Sequence, residues 1–453
     1  MKIAFTNCTV LDGTEDMSPM ENAVIIVEGS KILSVNTNNH VPSDASVINL
    51  GGRFLMPGLI NLHVHLPSSG KPKSANDNPD VIQKAMKNSV IRKILKRMCY
   101  KYAKMELLSG VTTIRTVGGL GNLDSVIRNE INSGGKTGPR MLVSNMAISV
   151  PGGHMADVLA YSAISKEDAV QYVNMIAADH PDLIKLMITG GVLDASVKGE
   201  PGVLRMPADY VKAACDEAHK LGYKVAAHVE SPEGIQVALA GGVETIEHGA
   251  VLDEKSVFLF QERKANLVCT ISPTIPMVFI DPDILKLSEF VRYNGKVVFE
   301  GIISAAKTAL KNNIPVGLGN DSGCPYVTHH DMWREVVYFH QFVGVSKKFA
   351  LHTATQKNAE ILGIEKETGS IQLGKCADFL ITERNPLEDL SALRKPYMVV
   401  TRGKVLKLPR VKASYLVSYQ NLLSHHLILY ALLSRCSLQN QMMFLKTGKA
   451  LHK

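Results

Sequence analysis

An α/β fold built around a (β/α)8 TIM-type barrel, with a small β-sandwich domain formed from both chain ends, is what this sequence predicts. Three observations carry the prediction. Between residues 57 and 360, short apolar runs alternate with helical stretches, the pattern of parallel strands joined by helices. Residues 1–56 and 361–408 instead hold short strand-like runs separated by turn residues, which suits a small antiparallel sheet in one β-domain. His, Lys and Asp side chains recur at the same end of the alternating runs, where barrels of this kind carry their chemistry.

The β-domain begins with Ile3–Phe5, Ala23–Glu28, Lys31–Val35 and Val47–Leu50, punctuated by Asp12-Gly13, Glu28-Gly29 and Gly51-Gly52. The same texture returns at Ala377–Thr382, Met398–Thr401 and Lys404–Lys407, with Arg402-Gly403 as a turn. The expected organisation is therefore a first β part at 1–56, a barrel at 57–360, a second β part at 361–408, and a peripheral basic tail at 409–453.

Eight runs read as barrel strands: Leu59–Leu66, Val111–Val117, Arg140–Ser149, Leu183–Thr189, Lys224–Val229, Glu244–Glu247, Asn266–Ile271 and Pro315–Leu318. A basic helical stretch is expected over Val81–Ser109, where Ile91, Ile94, Leu95 and Met98 fall at helical spacing. Further helices are expected over Ser165–Asp179 and Pro207–Leu221. Ser165 with Asp168 resembles a helix start and Gly222 a helix stop.

Composition excludes several classes. The chain has 453 residues, of which 45% are hydrophobic and 20% charged, as in ordinary globular proteins. The seven cysteines are scattered, with no Cys-x-x-Cys, so neither a disulfide framework nor a zinc ribbon is expected. A reducing, cytoplasmic setting fits. No signal peptide and no run of 18 apolar residues is present, which argues against secretion and integral membrane association. The net charge of +8 invites a nucleic-acid reading, but residues 409–453 carry six Lys or Arg and no acid, leaving +2 for residues 1–408. No nucleic-acid partner is expected. The acid-free tail reads as an altered frame or recent extension, with a basic membrane-surface helix as the alternative.

The chemistry starts at Pro57-Gly-Leu-Ile-Asn-Leu-His63-Val-His65. Side chains two apart on a strand share a face, so His63 and His65 project together, and paired imidazoles suit a divalent metal. Other strand ends supply matching residues: Lys185 within Leu183-Ile-Lys-Leu-Met-Ile-Thr-Gly-Gly, then His228, His248 and Asp321. Taken singly, each has a bland reading as a satisfied core histidine or a turn aspartate. Lys185 is harder to dismiss, because burying an ammonium is costly. Coincidence on five strand ends favours a site. Gly118-Gly-Leu-Gly121 lacks the spacing of a dinucleotide loop. His329-His330 reads as surface or pocket wall.

In these motifs the sequence resembles the amidohydrolase superfamily, over residues 1 to about 408. Pro-Gly-Gly-His154 and the Thr-Gly-Gly after Lys185 are most similar to its prolidase-like and imidazolonepropionase-like branch. The resemblance implies a binuclear hydrolase of amide or peptide-like C–N bonds. His63, His65 and Asp321 would bind one divalent ion and His228 and His248 the other, with Zn2+ as the expected metal. It implies a CO2-derived carbamate on Lys185 as the bridge, and a hydroxide shared by both ions as the nucleophile. Asp321 would move the proton, and His154 would bind substrate and the developing oxyanion. A small-molecule substrate is implied, and a homo-oligomer is left open. Lactone or phosphotriester hydrolysis on the same site, or a non-catalytic scaffold, are the alternatives. One departure stands out: prolidase-like members often carry an aromatic shortly after the fifth-strand His, whereas this chain has His228-Val-Glu-Ser-Pro-Glu-Gly.

Overall fold

The computed structural model describes residues 2–407 and Pro409, except 39, 72–78, 195–196, 200, 282–284 and 286. The expected tail at 409–453 therefore lies outside the described residues, apart from Pro409.

Eight strand positions form the barrel. They are Leu59–Val64, Val111–Thr116, a third split into Arg140–Val143 and Ala147–Ser149, then Leu183–Met187, Lys224–Val229, Thr245–His248, Asn266–Cys269 and Val316–Leu318. Neighbours pair in parallel. A parallel bridge between Val64 and Ser322 joins the first position to the segment just after the eighth. The strands are almost wholly buried, as expected when helices cover a parallel sheet. The break in the third falls at Ser144–Met146, where Asn145 has φ +59°. That turn returns a carbonyl to Gly119 N at 2.8 Å and re-aims the chain toward the loop of His154. Strand eight crowds strand one at Gly319, where a Cβ would come within 2.5 Å of His63 Cβ. Only glycine allows that approach.

Helices form where sequence signals place them. Ser165 Oγ accepts the Asp168 N–H at 3.0 Å and caps Lys166–Ala177, which satisfies a donor that the first turn leaves unpaired. Gly222 follows helix Ala208–Lys220 at φ +85°. The expected basic helix is two, Pro79–Lys87 and Ser89–Leu108. Asn88 interrupts it because its Oδ1 accepts the Val90 and Ile91 N–H groups, at 3.0 and 3.1 Å. Caps compete with helix continuation in this way.

Both chain ends meet in one seven-stranded sheet, ordered 404–407, 398–401, 379–382, 45–57, 2–10, 20–28, 31–36. Its pairing is mixed rather than purely antiparallel, since 2–10 runs parallel to 45–57. Phe5 from one end and Phe379 from the other pack edge-to-face, 5.7 Å between centroids. Each ring contributes about 1.5–3 kcal/mol by leaving water. A buried ion pair, Arg140 Nη1 to Asp378 Oδ2 at 2.8 Å, ties the barrel to this sheet. The six described cysteines are all free. Among the described residues no helix is long and apolar enough to cross a membrane.

Candidate metal centre and active site

The C-terminal ends of the barrel strands open into a cavity of about 950 Å3 lined by His63, His65, His154, Lys185, His228, His248 and Asp321. The seven candidate metal-binding, catalytic and substrate-binding residues from the sequence thus meet in one place. The register explains how. Met187 pairs with His228, and Val229 with His248, which sets those two histidines at neighbouring heights. Lys185 lies two residues lower, opposite Ala226. A short side chain there would stay in the barrel; the four-carbon stem of lysine reaches up.

Two clusters result. In the first, His63 Nε2 lies 3.2 Å from His65 Nε2, and Asp321 Oδ1 lies 3.6 and 3.3 Å from those nitrogens. In the second, nitrogens of His228 and His248 and a Glu230 oxygen lie within 4.8 Å of one another. His248 at φ +68° and Asp321 at φ +55° occupy the left-handed region, a strain of about 1–3 kcal/mol each that tends to concentrate at functional sites.

Each imidazole is oriented from behind. His63 Nδ1–H donates to Glu247 Oε2 at 2.8 Å, and Glu247 Oε1 accepts Arg115 Nη2 at 2.6 Å. His65 Nδ1–H donates to the Gly118 carbonyl at 3.0 Å, and His228 Nε2–H to the Gly190 carbonyl at 3.3 Å. His248 Nδ1 meets Thr270 Oγ1 at 2.6 Å. In His63 and His65 the remaining nitrogens, both Nε2, face each other and Asp321 as lone pairs, the arrangement metal-binding histidines adopt. Two lone pairs 3.2 Å apart repel unless a cation lies between them.

Electrostatics agree with a cation site. Burial pushes His63 and His228 well below the usual imidazole range and His248 down to about 4, so these rings are neutral, the ligating form. Burial lowers Lys185 to about 8, against the pull of Glu247. Lys185 Nζ and Asp321 Oδ1 are buried and make no hydrogen bond among the described residues. The donor set and these orphaned atoms fit divalent metals.

His154 stacks on the His228 ring at 4.1 Å and 11°, and its Nδ1 is paired with Asp194. Asp194 closes a short turn, Val192–Asp194, that follows strand four. Sequence reasoning missed Asp194, Arg115, Glu247 and Glu230. Glu247 could have been found from its place beside His248 in Ile-Glu-His-Gly, and Arg115 as a charge inside the strand-like run Val111–Val117. His329 is neither surface nor pocket wall, as the sequence had suggested. It is fully buried, bonded to the Ser68 carbonyl at 2.7 Å and to Glu106 at 3.3 Å, and braces the loop after strand one. Gly118 has a φ of +140° and turns its carbonyl onto His65.

Residues 54–406 match the Amidohydrolase family, and the chain belongs to it. Among solved structures it is similar to a Bifidobacterium longum protein provisionally assigned as a prolidase, at 32% identity and TM-score 0.82, covering 94% of this chain and 98% of that one. It is also similar to a Xaa-Pro dipeptidase with methionine bound in the active site, at 26% identity and TM-score 0.77, covering 90% and 100%. A curated relative, the 5-methylthioadenosine/S-adenosylhomocysteine deaminase of Bacillus cytotoxicus, is 24% identical over 410 residues, covering 84% of this chain and 85% of its own. The chain is a metal-dependent hydrolase acting on carbon–nitrogen bonds.

Proposed function

We propose that this enzyme hydrolyses the amide bond of dipeptide-like small molecules, using a binuclear divalent-metal centre. His63, His65 and Asp321 would hold one ion, and His228 and His248 the other, with Zn2+ the metal that suits such nitrogen-rich ligand sets. Bound there, two ions polarise a carbonyl and lower the pKa of water. The chain's own residues supply the rest. Lys185, lowered to about 8 by burial, keeps a fraction of neutral amine at neutral pH. That amine can attack CO2, releasing a proton and leaving a carbamate whose two oxygens can bridge. Asp321 Oδ1, without a hydrogen bond among the described residues, is placed to take a proton from the attacking water and return it to the departing amine. His154, held by Asp194 through Nδ1, keeps Nε2 for the carbonyl oxygen as charge builds on it.

The observation that carries this reading is the buried, unpartnered Lys185 Nζ lying in one cavity with both histidine clusters. It also favours a two-metal hydrolase over the deaminase chemistry named for some relatives. The test is a turnover screen of metal-reconstituted protein against Xaa-Pro dipeptides, N-acyl amino acids, lactones and aryl phosphotriesters. Dipeptides are expected to lead. Preferred turnover of lactones or phosphotriesters would overturn the amide assignment.

A further inference from the structure

Three buried atoms lining the cavity lack a hydrogen bond among the described residues: Lys185 Nζ, Asp321 Oδ1 and Glu230 Oε2. The proposed metal centre accounts for the first two and leaves the third. Glu230 sits two residues beyond His228, where strand five ends. Its carboxylate accepts the Val192 N–H, and its own N–H donates to Thr189 Oγ1 at 3.0 Å. Side chain and backbone are thus both held, with one oxygen turned free. The same short turn serves three neighbours: Gly190 orients His228, Val192 holds Glu230, and Asp194 holds His154. One segment therefore builds the wall against which a substrate would lie.

We infer that Glu230 is the subsite for a free amine on the acyl side of the scissile bond, so that the substrates are α-aminoacyl amides. The inference rests on the C–N hydrolase reading and names which substrates that site takes. Glu230 lies within 4.8 Å of the ligand nitrogens of His228 and His248, so it borders the ion that those rings would hold. Two imidazoles, a Lys185-derived oxygen and water already complete the four positions a catalytic zinc uses. A further carboxylate would close the position the reaction needs open. Glu230 is then left to the substrate. An α-amine lies only about 2.5 Å from the carbonyl carbon, given standard N–Cα and Cα–C bonds. A carbonyl placed at the metal centre therefore brings an α-ammonium within reach of Oε2. Burial and the nearby Asp194 and Asp321 push the Glu230 carboxyl up to about 8, so an ammonium lying against Oε2 supplies the positive charge that favours its ionised form, and charge-assisted hydrogen bonds of this kind are the strong ones.

The test compares Ala-Pro with propionyl-Pro, which lacks only the amine, on zinc-loaded wild type and E230Q. Wild type should favour Ala-Pro by roughly 10- to 100-fold in kcat/KM, the range of a hydrogen bond to a charged group. In E230Q that preference should fall to about 3-fold or less, with two zinc ions retained by elemental analysis. E230D, which keeps the charge, should retain part of the preference and guards against misfolding of E230Q. Equal turnover of both compounds by wild type, equal losses on both in E230Q, or loss of one zinc in E230Q would each overturn the assignment; the last would make Glu230 a metal ligand. Calorimetric binding of phosphinate analogues of Ala-Pro, with and without the amine, reads the subsite without turnover. If neither peptide is cleaved but wild type binds the amine-bearing analogue more tightly and E230Q does not, the dipeptide-hydrolysis reading fails and the subsite stands. If peptides are cleaved without discrimination, the subsite fails and the hydrolase reading stands.

Discussion

Glu247 is the carboxylate between Arg115 and His63, and changing it to Gln separates two roles of one side chain. Glu247 and Arg115 are buried, with side-chain exposures of 0% and 4%. Arg115 also donates to the Leu62 carbonyl at 2.7 Å and Thr245 Oγ1 at 3.1 Å, so it cannot swing out to water. A glutamine offers one acceptor where Arg115 and His63 each donate, and it removes the charge facing the guanidinium. Breaking a buried pair in this way costs about 3–5 kcal/mol. With roughly 2.1 cal/mol/K of unfolding entropy per residue over some 400 folded residues, the melting midpoint should fall by about 4–6 °C. The metal effect is separate. Loss of an outer partner typically weakens a metal site about 10- to 100-fold, or about 1.4–2.7 kcal/mol. The assay is Zn2+ titration against a competing chelator, with thermal unfolding of metal-free protein in parallel. Adding Arg115→Met removes the stranded cation, and should recover part of the midpoint but none of the zinc affinity. Zinc binding within 2-fold of wild type in Glu247→Gln would refute the claim that this carboxylate orients His63.

Elemental analysis of protein purified without chelator should give about two divalent ions per chain, and near-zero content in folded protein would contradict the proposed centre. Lys185→Ala and Lys185→Arg should both lose activity, since neither can form a carbamate, and a 13CO2-dependent carbamate resonance should appear only in wild type; its absence from metal-loaded wild type sinks the bridge. Metal-free protein should lose stability as pH falls, because His248 titrates near 4 when folded and near 6.5 when unfolded. Above 6.5 both states are unprotonated, whereas below it the unfolded state takes up a proton that the folded state refuses, costing roughly 3 kcal/mol by pH 4. His248→Gln should remove that share of the acid sensitivity, and an unchanged pH profile would show the burial argument to be wrong. His154→Gln should lower kcat by about 10²- to 10³-fold with metal content intact, and a loss confined to KM would instead mark His154 as a binding residue.

The alternation of runs and the candidate site residues at their ends were legible because both are local. A strand's period of two puts His63 and His65 on one face whatever surrounds them, and Lys185 is conspicuous as a charge in an apolar run. Caps at Ser165 and the stop at Gly222 were legible for the same reason: they satisfy backbone groups a few residues away. The break at Asn88 was not read, although Asn is a strong cap, because the apolar spacing continues through it. Joining the two chain ends was legible as texture only. That Phe5 packs on Phe379, and that 2–10 runs parallel to 45–57, depend on how distant strands order themselves.

The sequence by itself determined the barrel, its metal-competent side chains and their order along the chain, since periodicity and residue chemistry suffice for these. Only the tertiary structure decided the second ring of contacts. Arg115 and Glu247 are more than 100 residues apart, and His329 and Glu106 more than 200. Burial turns each pair into a fixed strut, because an unpaired charge in the interior is too costly to keep. The sequence likewise could not distinguish Glu230 from Glu233 three residues later. The fold turns Glu233 into the first turn of helix Pro232–Gly241, while Glu230 stays at the strand end with a free oxygen against the cavity. A carboxylate's function depends on which of those environments the chain's path gives it.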